Sequence, residues 1–194
     1  MTVAPLTQPE RMRCPWPVDD LMIRYHDAEW GVPTHDERTL FEFLSLEAAQ
    51  AGLSWRIILH KRAAFVAAFK GFDPERVAAY GEADVERMMQ DSGIVRNRLK
   101  LQSIITNAQV FVNVQREHGS FDAYIWGFVG GRTLPRPDVL TDDMVPATTP
   151  ESDAISKALK KRGFKFVGST IVYAYMQSVG MVNDHVTGCF RAPA

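Results

Sequence analysis

Apolar residues recur at helical spacing along most of this chain, and no series of alternating apolar and polar runs joined by hairpin dipeptides marks strands. Thr34 followed by Glu37 has the spacing of a capping box and predicts a helix running to about Ala51, where Gly52 stops it. Ser54 then caps a second helix to about Phe69, with Ile58, Phe65 and Phe69 on its inner side. Asp73-Pro74 opens a third, and a short fourth spans about Asp84 to Gln90. After Ser92-Gly93 and Ile94-Val95-Arg96 a long helix begins, its inner stripe including Leu101, Ile104, Ile105, Ala108 and Phe111. Further helices are expected over Phe121 to Val129, Ser152 to Arg162 and Ser169 to Val179. The segment from Gly130 to about Glu151, carrying four prolines, is the best candidate for a linker. The pattern is all-α, without internal repeats.

One position breaks that pattern. Glu47 shares its stripe with Leu40, Leu44 and Ala51, so a carboxylate points where apolar groups face inward. Burial of a carboxylate is costly unless it accepts hydrogen bonds or meets a cation. An arginine or a helix N-terminus could satisfy it, and so could a ligand. Trp16, Tyr25, Trp30 and Trp55 concentrate aromatic surface in the first third of the chain, as ordinary core or as stacking surface for a flat ligand.

At 194 residues and 46% hydrophobic, the chain fits one compact domain, or at most two small lobes sharing an interface. Met1 to Glu10 has no basic-then-apolar leader, and no run of about 18 apolar residues could span a bilayer, so a soluble cytoplasmic protein is expected. With 22 Lys plus Arg against 23 Asp plus Glu, no overall field advertises nucleic acid. Any DNA contact is local. Basic residues gather in Lys157, Lys160, Lys161, Arg162 and Lys165, and in Arg96, Arg98 and Lys100, either as solvated helix faces or as phosphate contacts. The short glycine-containing turn at Ser92 to Asn97 between two helices is a candidate helix-hairpin-helix, whose second N-terminus would offer free amides to a phosphate.

The two cysteines, Cys14 and Cys189, lie at opposite ends of the chain. Without a sign of an oxidising compartment a disulfide is disfavoured. His185 precedes Cys189 by four residues, and with Cys14 and His26 the set would make a Cys2His2 zinc site. Four protein ligands would leave no place for water, so such a metal would be structural. Spacing alone favours the simpler reading of His26 and His185 as ordinary histidines.

Taken together, Cys14, Tyr25-His26-Asp27, Glu29-Trp30-Gly31, Leu46-Glu47, Gln50-Ala51-Gly52-Leu53-Ser54-Trp55, Lys160 to Phe166 and Asn183-Asp184-His185 closely resemble the DNA-3-methyladenine glycosylase I family, bacterial repair enzymes among the helix-hairpin-helix glycosylases. The likeness runs from about Arg13 to Cys189 and reverses the spacing-based preference. It implies one structural zinc on Cys14, His26, His185 and Cys189. It implies that Glu47 and Tyr25 read the edge of a methylated adenine and serve catalysis, that Trp55 stacks on its face, and that Trp16 and Trp30 are further pocket walls. Met22 stands where the family commonly has a pocket tyrosine, and Ala48-Ala49 replaces a more polar stretch. Gly52 and Leu53 would fill the gap left by a flipped nucleotide, while Gly93, Arg96, Asn97 and Arg98 would hold the DNA backbone.

The expected organisation is a flexible extension over 1–12 and a single domain over 13–194, made of two helical lobes with the hairpin near 92–97. The implied activity is monofunctional: extrusion of 3-methyladenine from double-stranded DNA and hydrolytic release, leaving an abasic site. A monomer without obligate protein partners is expected. A non-catalytic sensor of alkylated DNA and a zinc-dependent hydrolase are the rival readings.

Overall fold

A computed structural model of the chain describes residues 11–192, and among these there is no strand. Nine helices follow one another: α1 (Asp20–Ala28), α2 (Glu37–Gln50), α3 (Trp55–Ala68), α4 (Pro74–Ala78), α5 (Glu82–Met89), α6 (Arg98–His118), α7 (Phe121–Trp126), α8 (Pro150–Arg162) and α9 (Ser169–Ser178). Short 3-10 turns occur at Lys70–Phe72, Gly127–Val129 and Asp142–Met144. No described helix is long and apolar enough to cross a membrane. The part of the expected N-terminal extension over residues 1–10 lies outside the described residues. At its end, Met12 accepts a hydrogen bond from the Phe190 amide at 2.9 Å.

Most helix starts follow from local capping. Ser54 accepts from the Ile57 amide, Asp73 from Arg76, Asn97 from Lys100, Ser120 from Ala123 and Thr149 from Ser152, each satisfying one of the amides a first turn leaves free. Two starts differ from the sequence reading. Helix α1 was not anticipated; its cap is Asp19, which accepts from the Met22 amide at 3.0 Å. At α2 the cap is Asp36 and not Thr34, because Thr34 is held in extended backbone by hydrogen bonds from its amide to Val179 and from the Trp126 indole to its carbonyl. Glu37 is thereby released from a capping box and instead accepts from the Phe121 and Asp122 amides at the start of α7.

Helix α2 is the hub. Nine of its fourteen residues are buried, and α3, α6, α7 and α9 pack around it. The remaining helices extend one continuous apolar core in which Phe41, Phe65, Phe69, Phe72, Phe111 and Phe121 are almost wholly enclosed. The proline-bearing segment is no loose linker: Thr133 and Leu134 bond to Gly180 and Met181, and Leu140 exchanges hydrogen bonds with Thr187. It is laid over the C-terminal tail because its amides find acceptors there.

Gly180, just past α9, has φ +76° and lies against Val32 and Pro33; a Cβ would come within 2.6 Å of the Pro33 Cα. Both the left-handed backbone and the close backbone neighbour exclude a side chain. Gly180→Ala should therefore lower stability by at least about 2 kcal/mol, read as a shifted urea midpoint with an unchanged slope.

Candidate active site and the terminal cysteine–histidine cluster

A cleft of about 480 Å³ opens between α1, the end of α2, the start of α3 and α9, lined by Met22, Tyr25, Trp30, Glu47, Trp55 and Ser178 among others. Glu47 is only 3% exposed. Its Oε1 accepts a hydrogen bond from Ser178 Oγ at 2.7 Å, and Ser178 in turn accepts from the Tyr25 hydroxyl at 3.0 Å. Oε2 has no partner among the described residues. Neither the arginine nor the helix terminus that might have neutralised Glu47 is there. Burial pushes its carboxyl up to about 7, a rise the Ser178 hydrogen bond only partly offsets. Burial, and after it the neighbouring Glu47 charge, holds the Tyr25 hydroxyl well above its ordinary value, so it remains a neutral donor.

Around this carboxylate the aromatic residues form a wall. The Tyr25 and Trp55 rings lie 5.3 Å apart, Trp16 sits 6.2 Å from Tyr25, and Trp16 meets Trp30 edge-on at 5.1 Å. The indole N–H groups of Trp16 and Trp55 are buried without an acceptor among the described residues. Met22, 6% exposed, completes the wall with a flexible thioether. The arrangement suits a flat, electron-poor ligand: π faces and one uncompensated carboxylate favour a cationic aromatic ring over a neutral one. Sequence reading missed Ser178, whose only signal is a buried hydroxyl at the last position of α9. It also missed Gln177, and it gave no role to Gln50 and Asp184, which entered only as part of the family resemblance; all three line the same cleft.

Behind Trp16 and Trp30, the two ends of the chain converge. The ligand atoms of Cys14, His26, His185 and Cys189 all lie within 4.8 Å of one another, and all four residues are buried. His26 Nε2 and His185 Nδ1 are 3.1 Å apart, and the nitrogen–sulfur separations are 3.5 to 3.6 Å. A tetrahedral zinc with Zn–S near 2.3 Å and Zn–N near 2.0–2.1 Å has edges of roughly 3.3 and 3.6 Å, so the donor set fits that ion. The outer nitrogens are fixed as well. His26 Nδ1–H donates to Asp27, itself gripped by Arg13, and His185 Nε2–H donates to the Trp30 carbonyl at 3.0 Å. Burial pushes the Cys14 thiol up to about 12, with Cys189 adding to the rise, and pushes His185 down to about 4. The imidazole lone pairs are therefore free at neutral pH, and only a bound cation would favour thiolates here.

The expected DNA-facing residues are divided. The Gly52-Leu53 turn protrudes beside the cleft, Leu53 being 37% exposed. Arg96 and Asn97 are exposed at the turn before α6, and Gly93 packs against Ala64. The Arg98 guanidinium is engaged by Glu82 and Glu86. Lys100, grouped with these arginines by sequence, is buried and turned inward: its Nζ donates to the Ala49 and Ala51 carbonyls.

Comparison with known proteins places this geometry. The family model for methyladenine glycosylases matches residues 16–192. The chain belongs to the methyladenine glycosylase family. It is 50% identical to DNA-3-methyladenine glycosylase 1 of Escherichia coli (strain K12) over 183 residues, covering 93% of this chain and 97% of that protein. A crystal structure of 3-methyladenine DNA glycosylase I superposes with a TM-score of 0.91 at 51% identity, over 94% of this chain and all of that one. The Staphylococcus aureus enzyme, in the structure that describes its recognition of 3-methyladenine, gives a TM-score of 0.86 at 34% identity, over 91% of this chain and 93% of that one.

The displaced Glu47 has a consequence for stability in this family member. Between about pH 4.5 and 7 the unfolded chain has lost this proton while the folded chain keeps it, so the fold weakens as pH rises; the loss levels off above 7 at about 3 kcal/mol. Glu47→Gln keeps an acceptor for Ser178 and removes the charge. Its melting temperature is expected to match the native protein near pH 4 and exceed it by several degrees at pH 8, measured by thermal unfolding across that range.

Proposed function

We infer that this chain is a DNA-3-methyladenine glycosylase, a base-excision repair enzyme that releases the alkylated base from DNA. The observation carrying the reading is the free Oε2 of Glu47, buried in an aromatic cleft of a size to admit one purine. A base cannot enter while stacked, so the nucleotide rotates out of the helix, at a cost of a few kcal/mol that damage to pairing reduces. Methylation at N3 makes the purine cationic. Glu47 then gains the partner it lacks, and ionises to meet it, while Trp55 and Tyr25 pack against the ring. Neutral adenine offers no such compensation and is rejected.

The positive charge that selects the base also makes it a good leaving group. When the bond from C1′ to N9 breaks, its electron pair neutralises the purine, the sugar carries oxocarbenium character, and water completes hydrolysis at C1′. No lysine lines the cleft, which supports a monofunctional reaction ending at an abasic site. The Gly52-Leu53 turn beside the cleft is suited to fill the space the nucleotide leaves, and the α5–α6 hairpin to hold backbone phosphates through the exposed Arg96 and Asn97. Double-stranded DNA is the substrate this arrangement fits, in the cytoplasm of a bacterial cell, with the protein acting as a monomer. A sensor that binds without cleaving is not favoured, because the wall is closed at Met22 and the relatives carry the name of an enzyme.

Cys14, His26, His185 and Cys189 would hold one zinc ion. With four protein ligands the ion supplies structure and no catalytic water, in contrast to a zinc hydrolase. Its role is to fasten the chain ends behind Trp16 and Trp30.

Two measurements test these readings. Incubation with methylated duplex DNA should release 3-methyladenine, and Glu47→Gln should slow single-turnover release by roughly a hundredfold; undiminished release by the variant would remove Glu47 from the mechanism, and a borohydride-trapped adduct would point to a lysine nucleophile. Metal analysis of protein purified without chelator should find one zinc per chain, largely lost in Cys189→Ser. Metal-free native protein of undiminished stability would overturn the zinc assignment.

A further inference from the structure

Lys100 is the one lysine buried among the described residues, at 7% exposure. It projects from the first turn of α6, two residues after Arg98, and ends on the C-terminus of α2, where Nζ donates to the Ala49 carbonyl at 2.8 Å and the Ala51 carbonyl at 2.6 Å. The last carbonyls of a helix have no partners of their own and carry its negative end, and α2 has no basic residue in its last turn to answer them. The cation is thus supplied across the fold.

What lies at that helix end gives the contact its meaning. Glu47 is on the last turn of α2, and Trp55 is the first residue of α3. Between them runs the turn 51–54, in which Gly52 takes φ +75° with open space where a Cβ would be, and Leu53 protrudes. Ser54 caps α3 and so sets the position of Trp55. A turn of this kind has little packing to hold it. The Leu53 amide bonds to the Gln50 carbonyl within the turn, and Lys100 anchors the turn from outside.

We propose that Lys100 is a positioning residue for base extrusion, tying the hairpin that grips the DNA backbone to the turn that carries Leu53 into the vacated space. The inference rests on the glycosylase reading. Its ammonium holds the turn in the protruding form, so that seizing the backbone at α6 and pressing in Leu53 occur as one rigid movement. The pocket itself, built by Glu47, Ser178 and Tyr25, does not depend on the lysine for its hydrogen bonds.

The test compares Lys100→Met, Lys100→Arg and the native protein in single-turnover release of 3-methyladenine from two DNA substrates, one with the lesion paired in a duplex and one with it unpaired in a bulge. Affinity for free 3-methyladenine is measured alongside by tryptophan fluorescence. For Lys100→Met, release from the paired substrate should fall roughly ten- to a hundredfold, as expected for a lost charged hydrogen-bond cap. The deficit should shrink several-fold on the bulged substrate, and free-base affinity should remain within about twofold of native. Lys100→Arg should recover most of the rate. Equal losses on both substrates together with weakened free-base binding would reduce Lys100 to a general structural role, and an unchanged paired rate would dismiss it. Should Lys100→Met fail to fold, Lys100→Gln, which keeps an N–H donor without the charge, decides by the same comparison. Native protein that releases base from neither substrate would instead overturn the glycosylase reading.

Discussion

Glu47 sits on the buried face of α2 with one oxygen bonded to Ser178 and the other facing the cleft, and ionising it there costs on the order of 3 kcal/mol. The neighbourhood is arranged to keep that cost in place. Tyr25 gives its hydrogen bond to Ser178 and leaves the carboxylate alone, Oε2 has no partner among the described residues, and Arg56, which also lines the cleft, is bonded to Asp19. A cationic purine relieves the penalty and a neutral one does not. On the proposed reading, selectivity for a cationic base would come from a stress already present in the buried carboxyl group.

Such a stress needs a rigid surround. The hub position of α2 provides it on one side, with α9 delivering Ser178. On the other side the wall is made by residues near the N-terminus, which would fray if left alone. The cluster of two cysteines and two histidines draws that segment onto the tail, and Trp30 is packed directly on it, 4.6 Å from the His185 ring and accepting its hydrogen bond through the backbone. The proline-bearing segment, bonded across Gly180, Met181 and Thr187, covers the same tail. The fastening of the chain ends and the aromatic wall of the cleft share these contacts, since loosening the ends would open the wall.

Formal charge gives little hint of a DNA partner, and the structure shows where the basic residues near the hairpin are engaged. Of the three basic residues near the hairpin, Arg98 is neutralised by two glutamates and Lys100 is withdrawn into the fold, which leaves Arg96 exposed beside Asn97. Sequence proximity grouped residues that the α6 backbone points in different directions. In the proposed function this leaves Arg96 and Asn97 as the exposed polar groups of the hairpin available to a DNA strand.

Apart from α1, the helices were legible in the sequence because their signals are local: apolar stripes, Ser54, Asp73 and Asn97 as caps, Gly52 as a stop. The stripe also exposed Glu47 as an anomaly, since a carboxylate among Leu40, Leu44 and Ala51 violates the period wherever it is found. The cysteine–histidine set and the aromatic residues stood out as candidates, but spacing alone favoured ordinary histidines and left the aromatics as core or stacking surface; family resemblance supplied their implied roles. What the sequence did not contain was partnership across the fold. Thr34 and Glu37 match a capping box, yet Val179 and Trp126 claim Thr34 and α7 claims Glu37, so tertiary hydrogen bonds outweighed the local one. Ser178 became the partner of Glu47 from 131 residues away, and Lys100 reached α2 across about 50. Local rules read what a residue does to its own turn of helix; the charge state of a buried carboxylate and the hold on a protruding turn depend on who stands opposite, and only packing decides that.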